Sequence, residues 1–326
     1  MNKHGLNTSD WLPIGVPLDK NPKQIPVITL SVRDEAHPYG ELLLTACTHT
    51  GENNQSLHSL LKHLYMLQQM PNMRAVHLGD FIDPTQLCAG RRSVDIFAIT
   101  ELLNMGFQMI EPVAGKFVAV TRGEMDQRID NMMKPGTNYL KLGFSKMKSP
   151  AIVTRENEGL LLMVEVRGRD DTPSRYYPLY IIHSQTGAFI NEYLFIKRIF
   201  SNYMAPVIAS AHVHRIQKRL MTLTAPIKDD NGVWHAATGK VTMVLVGGFI
   251  KQRPRDDTKG STINTIGAPI LRFMRDRSAI EVIPNPSAHS PEFFRDPCPF
   301  HPNTNFRIED HEWPFRSARR KVPIQP

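Results

Sequence analysis

The chain reads as an α/β protein built of two packed sheets with helices on their outer faces, and three observations lead there. Short apolar runs recur along it, each ending in a loop that carries histidine, cysteine or acid. Helical periodicity separates the first three runs, giving the strand-helix-strand-helix-strand order that parallel pairing requires. Beyond residue 205 strand-like text returns without long helices, as a second sheet needs.

Residues 1–26 hold Pro13, Pro17, Pro22 and Pro26 with little periodicity and read as an extended arm. A strand is expected at 25–32, then a turn at His37-Pro38-Tyr39-Gly40. Leu42–Cys47 is a continuous apolar run of the kind a sheet covered on both faces produces. It ends in Cys47-Thr48-His49. Asn53 or Asn54 can cap a helix in which Leu57, Leu60, Leu61 and Leu64 recur until Pro71 stops it. The strand 74–78 ends in Gly79-Asp80-Phe81-Ile82-Asp83; Gly79 permits a sharp turn, and Asp83 can brace the loop. A second helix is expected from about Ser93, with Val94, Phe97, Ala98, Leu102, Met105 and Met109 on one face. Phe117–Val120 is a third strand, ending in Thr121-Arg122-Gly123-Glu124-Met125-Asp126-Gln127-Arg128.

Residues 129–178 look less regular, with a strand at Leu160–Val166. Tyr180–Ile182 is a strand ending in His183. Phe189, Tyr193, Ile196 and Phe200 mark a third helix. Pro206–Ala209 ends in Ser210-Ala211-His212-Val213-His214. Met221–Leu223 and Val241–Val246 follow as strands of the second sheet, joined by a turn at 229–232. The boundaries drawn are an arm at 1–26, one domain at 27–283, and an irregular Pro-rich basic tail at 284–326. Right-handed crossovers set 42–47, 74–79 and 117–121 side by side, so that these strand ends share one cleft with those of 180–182 and 206–209.

Composition narrows the partners. A hydrophobic fraction of 41% fills a sizeable core, and no segment approaches the ~18 apolar residues of a membrane span. No charged-then-apolar start suggests a signal peptide. Three scattered cysteines, Cys47, Cys88 and Cys298, argue against a disulfide framework and for a reducing, cytoplasmic compartment. A net charge of +8 suits an anionic partner such as a phosphorylated substrate or nucleic acid, although it also serves plain solubility.

Seven strand-end side chains, Cys47, His49, Asp80, Glu124, His183, His212 and His214, can all ligate a metal. Taken singly they are weak signals: a lone interior histidine is more often a hydrogen-bonded core residue, and a lone buried cysteine a small hydrophobe. Five motifs in order make that reading inadequate. With Asp80 bridging, one cation takes Cys47, His49, Asp80 and His214, and the other Asp80, Glu124, His183 and His212. Four ligands of mixed N, O and S character suit zinc, and N/O sets also suit manganese or iron. Two cations about 3.5–4 Å apart stabilise the attacking and leaving oxygens of a phosphoryl displacement.

The order Cys47-Thr48-His49, Gly79-Asp80-Phe81-Ile82-Asp83, Gly123-Glu124-Met125-Asp126, His183 and Ala211-His212-Val213-His214 resembles the calcineurin-like metallophosphoesterase superfamily over residues 40–250. The family pattern is Asp-x-His, Gly-Asp-x-x-Asp, Gly-Asn-His-(Asp/Glu), His and Gly-His-x-His. The resemblance implies an α/β/β/α four-layer sandwich and a dinuclear site hydrolysing phosphate mono- or diesters, nucleic acids included. The text at 122–129 and 244–249 is most similar to bacteriophage-encoded members, which would place the chain in a host cytoplasm or a virion.

Three positions depart from that pattern. Cys47 stands in place of Asp and Glu124 in place of Asn, both still able to bind metal. Met125 stands in place of the histidine that assists the leaving group, and a thioether donates no proton. Asp126, which orients that histidine in the family, is expected to lack its partner. Arg122 and Arg128 are the candidates to face the phosphate with positive charge instead. Two function classes follow: a divalent-metal phosphodiesterase or nuclease weakened at Met125, or an inactive scaffold whose terminal arms grip neighbouring chains in an oligomer or viral particle.

Overall fold

The computed structural model describes residues 25–32, 34–52, 54–85, 96–133, 136–154, 158–168, 173–184, 205–228, 234–251, 265–276, 279–296 and 298–300. Their strands form two six-stranded mixed sheets. In chain order they are β1 (Val27–Ser31), β2 (Tyr39–Thr45), β3 (Arg74–Leu78), β4 (Phe117–Thr121), β5 (Ile152–Val153), β6 (Leu160–Arg167), β7 (Arg175–His183), β8 (Val207–Ala211), β9 (Gln217–Lys228), β10 (Trp234–Leu245), β11 (Ile270–Met274) and β12 (Ile280–Ile283). The principal helices are α1 (Leu57–Gln69), α2 (Ile96–Ile110), α3 (Glu124–Met133) and α4 (Tyr139–Lys146).

One sheet has the order β12-β11-β2-β3-β4-β5, the other β1-β6-β7-β8-β10-β9. β2, β3 and β4 run parallel and adjacent, Leu44 facing Val76 and Leu78 facing Thr121 across the ladders. β7 and β8 are parallel as well, with His183 opposite Ala211. Parallel strands covered on both faces show continuous burial, and Gly40–Thr45 is buried throughout. Alternate residues then serve two cores. Leu42, Leu44, Val76 and Leu78 pack between the sheets against Val164, Leu179, Ile181 and Val207, while Leu43, Ala75 and Phe117 face the helices. Each such aliphatic side chain contributes about 1.5–3 kcal/mol by leaving water. The outer face of the second sheet carries Tyr180, Ile208, Val241 and Met243.

Several expectations change. The residue before α1 is Ser56, without a side-chain cap bond, and not Asn53 or Asn54; the chain first runs through the loop bonds Glu52 to His49 and Gln55 to Glu52. On α2 the buried face is Ile99, Leu102, Leu103, Gly106, Met109 and Ile110, and Phe97 is 71% exposed. The stretch 129–178 is more regular than expected, holding α3, α4, β5 and β6. Strands β11 and β12 had no forerunner in the sequence reading; β11 pairs antiparallel with β2. Residues 284–300 include two short helical turns, the second of which, Pro291–Phe294, docks on α1, where Lys62 Nζ donates to Phe294 O at 2.8 Å. The helix expected around Phe189–Phe200, the arm at 1–24, the turn at 229–232 and the tail beyond 300 lie outside the described residues.

Candidate metal centre

The site is made where β2, β3, β4, β7 and β8 end. After β2 and β3 the two loops continue side by side: Cys47 N–H donates to Gly79 O at 2.9 Å, His49 N–H to Asp80 O at 3.0 Å and Thr50 N–H to Phe81 O at 3.0 Å. Thr48 Oγ1 donates to Phe81 O, and Gln55 Nε2 to Thr48 O. The neighbouring β4 loop approaches so closely that a Cβ on Gly79, at φ +81°, would lie 2.6 Å from Gly123 N. A Cβ on Gly123 would lie 2.1 Å from Asp80 Oδ1. Gly79 is therefore demanded by its φ and by the backbone of the β4 loop, and Gly123 by the passage of the Asp80 carboxylate.

Backbone conformation singles out the same residues. Six described residues other than glycine have left-handed φ, and five of them are Cys47, His49, Asp80, His212 and His214. Each costs of order 1 kcal/mol or more that the surrounding fold must offset, and such strain collects where side chains are aimed for function.

The aiming is visible atom by atom. Asp80 Oδ1 accepts the Met125 N–H at 2.9 Å, which leaves Oδ2 turned 3.2 Å from His183 Nε2 and 3.7 Å from His49 Nε2. His49 Nδ1 meets Asp83 Oδ2 at 3.0 Å, and His183 Nδ1 donates to Leu78 O at 2.6 Å. Both imidazoles thus present Nε2 inward, the arrangement that carboxylate and carbonyl partners impose on metal-ligating histidines. His183 Nε2 also lies 3.2 Å from His212 Nδ1. Two donor groups result, Cys47 with His49 and His214, and Cys47 with Asp80 and His183; within each, the donor atoms lie within 4.8 Å of one another. His49 Nε2 and His214 Nε2 are buried and make no hydrogen bond. A divalent cation is the partner that would satisfy two such nitrogens beside a sulfur and a carboxylate, so the donor set fits one.

Charge follows geometry. Burial pushes the Asp80 carboxyl up, but His183 and His49 outweigh it and hold it below the usual carboxylate range. Burial lowers His183, and Asp80 more than reverses this. Burial, aided by His49, takes His214 down to about 3, so it stays neutral and able to donate a lone pair. Burial and then Asp80 raise the Cys47 thiol well above its ordinary value.

The other expected residues fall differently. Glu124, the first residue of α3, is partly exposed and acts on His212 through its charge, but stands outside the two close groups. Asp126 does not lack partners: its carboxylate accepts the N–H groups of Asp80, Gly123 and Phe81 and the Tyr139 hydroxyl. It braces the Asp80 backbone from behind. Arg122 is buried in an ion pair with Asp130, which also accepts the Tyr139 N–H. Arg128 lies exposed on α3. Tyr139 was not anticipated; it arrives from the next helix, and nothing local in the sequence announces it.

No protein-family model matches the chain, and no curated protein does. Among solved structures, Vps29 from Entamoeba histolytica complexed with zinc is 8% identical over 74% of this chain and 96% of its own, with a TM-score of 0.36. A predicted phosphoesterase from Streptococcus pneumoniae is 10% identical over 74% and 96%, with a TM-score of 0.29. The calcineurin-like phosphoesterase YfkN from Bacillus subtilis is 12% identical over 68% and 95%, with a TM-score of 0.32. Likenesses of this extent do not define a family. What the fold and the site define is a class: a two-sheet α/β protein whose strand ends gather side chains that could hold a metal ion.

Proposed function

We propose that this chain is a divalent-metal-dependent phosphoesterase of the calcineurin-like type, slowed by the absence of a positioned acid. One observation supports this above the rest: His49 and His214, each with an unbonded Nε2, group their imidazoles with Cys47, and His49 Nε2 lies 3.7 Å from the Oδ2 of Asp80. When bound, two divalent cations would supply Lewis acidity and charge for an in-line displacement at phosphorus. The protein's own contribution is orientation. Met125 N–H fixes one Asp80 oxygen so the other faces the donors, Asp83 sets the His49 ring, and Leu78 O sets His183. The carboxylate of Asp126 keeps the β3 and β4 loops in register. Met125 offers no proton to a leaving group, which lowers the rate by roughly 10²–10⁴.

The test is metal content by elemental analysis, then hydrolysis of bis-p-nitrophenyl phosphate and of DNA with added manganese or zinc. Two metals per chain and activity that falls to background in Asp80→Ala are expected, with circular dichroism confirming the fold. A chain that binds no metal refutes the reading.

A second reading has its own support. Arg122, a candidate to face phosphate, is engaged by Asp130, and Met125 carries no charge. Both suit a member that keeps its metals as structure and serves as a scaffold, in an oligomer or a viral particle. Met125→His separates the two: an inert protein awakened by that change is a scaffold with a nearly complete site, whereas an active protein indifferent to it is an enzyme adapted to methionine.

A further inference from the structure

We propose that the Cys47 thiolate is shared by both cations, which makes the centre sulfur-based and selective for zinc-class ions over manganese and magnesium. This rests on the metal-site reading above and goes beyond it in naming the ion class and the atom the two ions have in common. The geometry carries it. Two close donor groups exist among the described residues, His49 and His214 on one side, Asp80 and His183 on the other, and the side chain that belongs to both is Cys47. Asp80 Oδ2 also faces a histidine from each side, at 3.7 Å and 3.2 Å, so sulfur and carboxylate lie together between the imidazoles.

The second observation is independent of the cysteine. His49 is 5% exposed, its Nε2 has no hydrogen-bond partner, and its imidazole supplies one of the donors grouped with the sulfur. A buried imidazole nitrogen left unbonded, on a ring grouped with a buried thiol, wants a cation.

The fold also holds the backbone that carries the sulfur. Cys47 is fully buried with φ +47°, its N–H is bonded to Gly79 O and its carbonyl accepts the Phe249 N–H at 3.0 Å. Gly248 lies against it, so closely that a Cβ there would stand 2.9 Å from Cys47 Cβ and 3.2 Å from His214 Cδ2. A side chain clamped on both flanks at the meeting point of two donor groups is positioned as a bridge. Ion preference follows from ligand softness: thiolate with imidazoles favours zinc, cobalt and cadmium, while hard magnesium and manganese prefer all-oxygen surroundings. Ligation requires the thiol to lose its proton to solvent as the cation arrives.

The test uses the full chain, kept reduced with a phosphine, stripped with chelator and titrated with Co(II). A sulfur-to-cobalt charge-transfer band should grow through two equivalents. Cys47→Ser should lose it, although Cys88 and Cys298 remain. Cadmium NMR of the loaded protein should show two resonances, both moved downfield by sulfur. Cys47→Asp is the folding control, because aspartate tolerates left-handed φ. It should still bind two ions, without the band, and with zinc-over-manganese preference reduced roughly tenfold. A band complete at the first equivalent, or one sulfur-shifted cadmium signal, overturns the sharing. Two bound cobalts without a Cys47-dependent band overturn sulfur ligation and leave the metalloprotein reading standing. No bound cobalt sinks both.

Discussion

The histidines on either side of the loop that follows β10, His63 on one and His49 with His214 on the other, are treated in opposite ways. His63, on α1, packs edge-to-face against Phe249 and Phe294; its Nδ1 donates to Ser59 O at 2.8 Å and its Nε2 accepts the Ala268 N–H at 3.2 Å. Its backbone is ordinary helix. His49 and His214, edge-to-face on each other at 5.3 Å, both sit at left-handed φ and each keeps an unbonded Nε2. His63 and His49 are equally buried and His214 less so, so burial is not what marks a site. The mark is a polar atom that the fold could have satisfied, as it satisfies both nitrogens of His63, and instead leaves aimed at other donors.

The largest effect that would sharpen this contrast is ligand-linked stability. Zinc present at 100 times its dissociation constant should stabilise the chain by about 2.7 kcal/mol, since it binds the folded site and not the unfolded chain. Denaturant melts with and without zinc measure this. His63→Leu should keep the whole increment, while His49→Ala should lose it. If the increment survives in His49→Ala, the unbonded nitrogen is not a ligand.

Next in size is the acid sensitivity of the satisfied partner. Burial, against the Ser59 carbonyl, lowers His63 from 6.5 to about 4. The unfolded chain therefore takes up a proton that folded His63 refuses until about pH 4, and stability is lost as pH falls through that window. Between pH 7 and 5 the loss attributable to His63 should be about 2 kcal/mol. Melts of wild type and His63→Leu at both pH values, compared by difference, isolate it. Equal slopes would mean that His63 is not the neutral clamp the packing describes.

How much of this was written in the sequence depends on how local the cause is. The strand-end positions of Cys47, His49, Asp80, His183, His212 and His214 were legible because each follows an apolar run, and parallel strands buried on both faces leave no other trace so plain. The bracing role suggested for Asp83 was legible too, three residues from the Asp80 it accompanies. The face of α2 was legible at Ala98, Leu102, Met105 and Met109 but not at Phe97, because the helix is apolar on nearly every side and periodicity phases it only loosely. Strand β11 was missed because its partner β2 is over 200 residues away, and β12 with it, because β12 pairs only with β11. Asp126 was misjudged for the same reason. Its partners are amides on another strand's loop and a tyrosine from α4, and a motif read in isolation contains neither.

The smallest predicted effect breaks the comparison most directly, because it sets stability against function at one residue. His214 holds φ +52° and a buried nitrogen without a hydrogen bond. Glycine adopts that φ freely and brings no polar atom to bury. In metal-free protein, His214→Gly should therefore be more stable than wild type by about 1 kcal/mol, with the release of backbone strain and of the unbonded nitrogen outweighing the lost packing. In zinc the order should invert, because the variant gains little from the ion. Paired melts with and without zinc read both signs in one experiment. At His63 no such inversion exists: every substitution there removes a satisfied group, and the wild type leads in both conditions. A variant at His214 that destabilises the metal-free chain would mean that its strain is already relieved within the protein, and the distinction between a clamp and a ligand would fail at the residue where it is drawn most sharply.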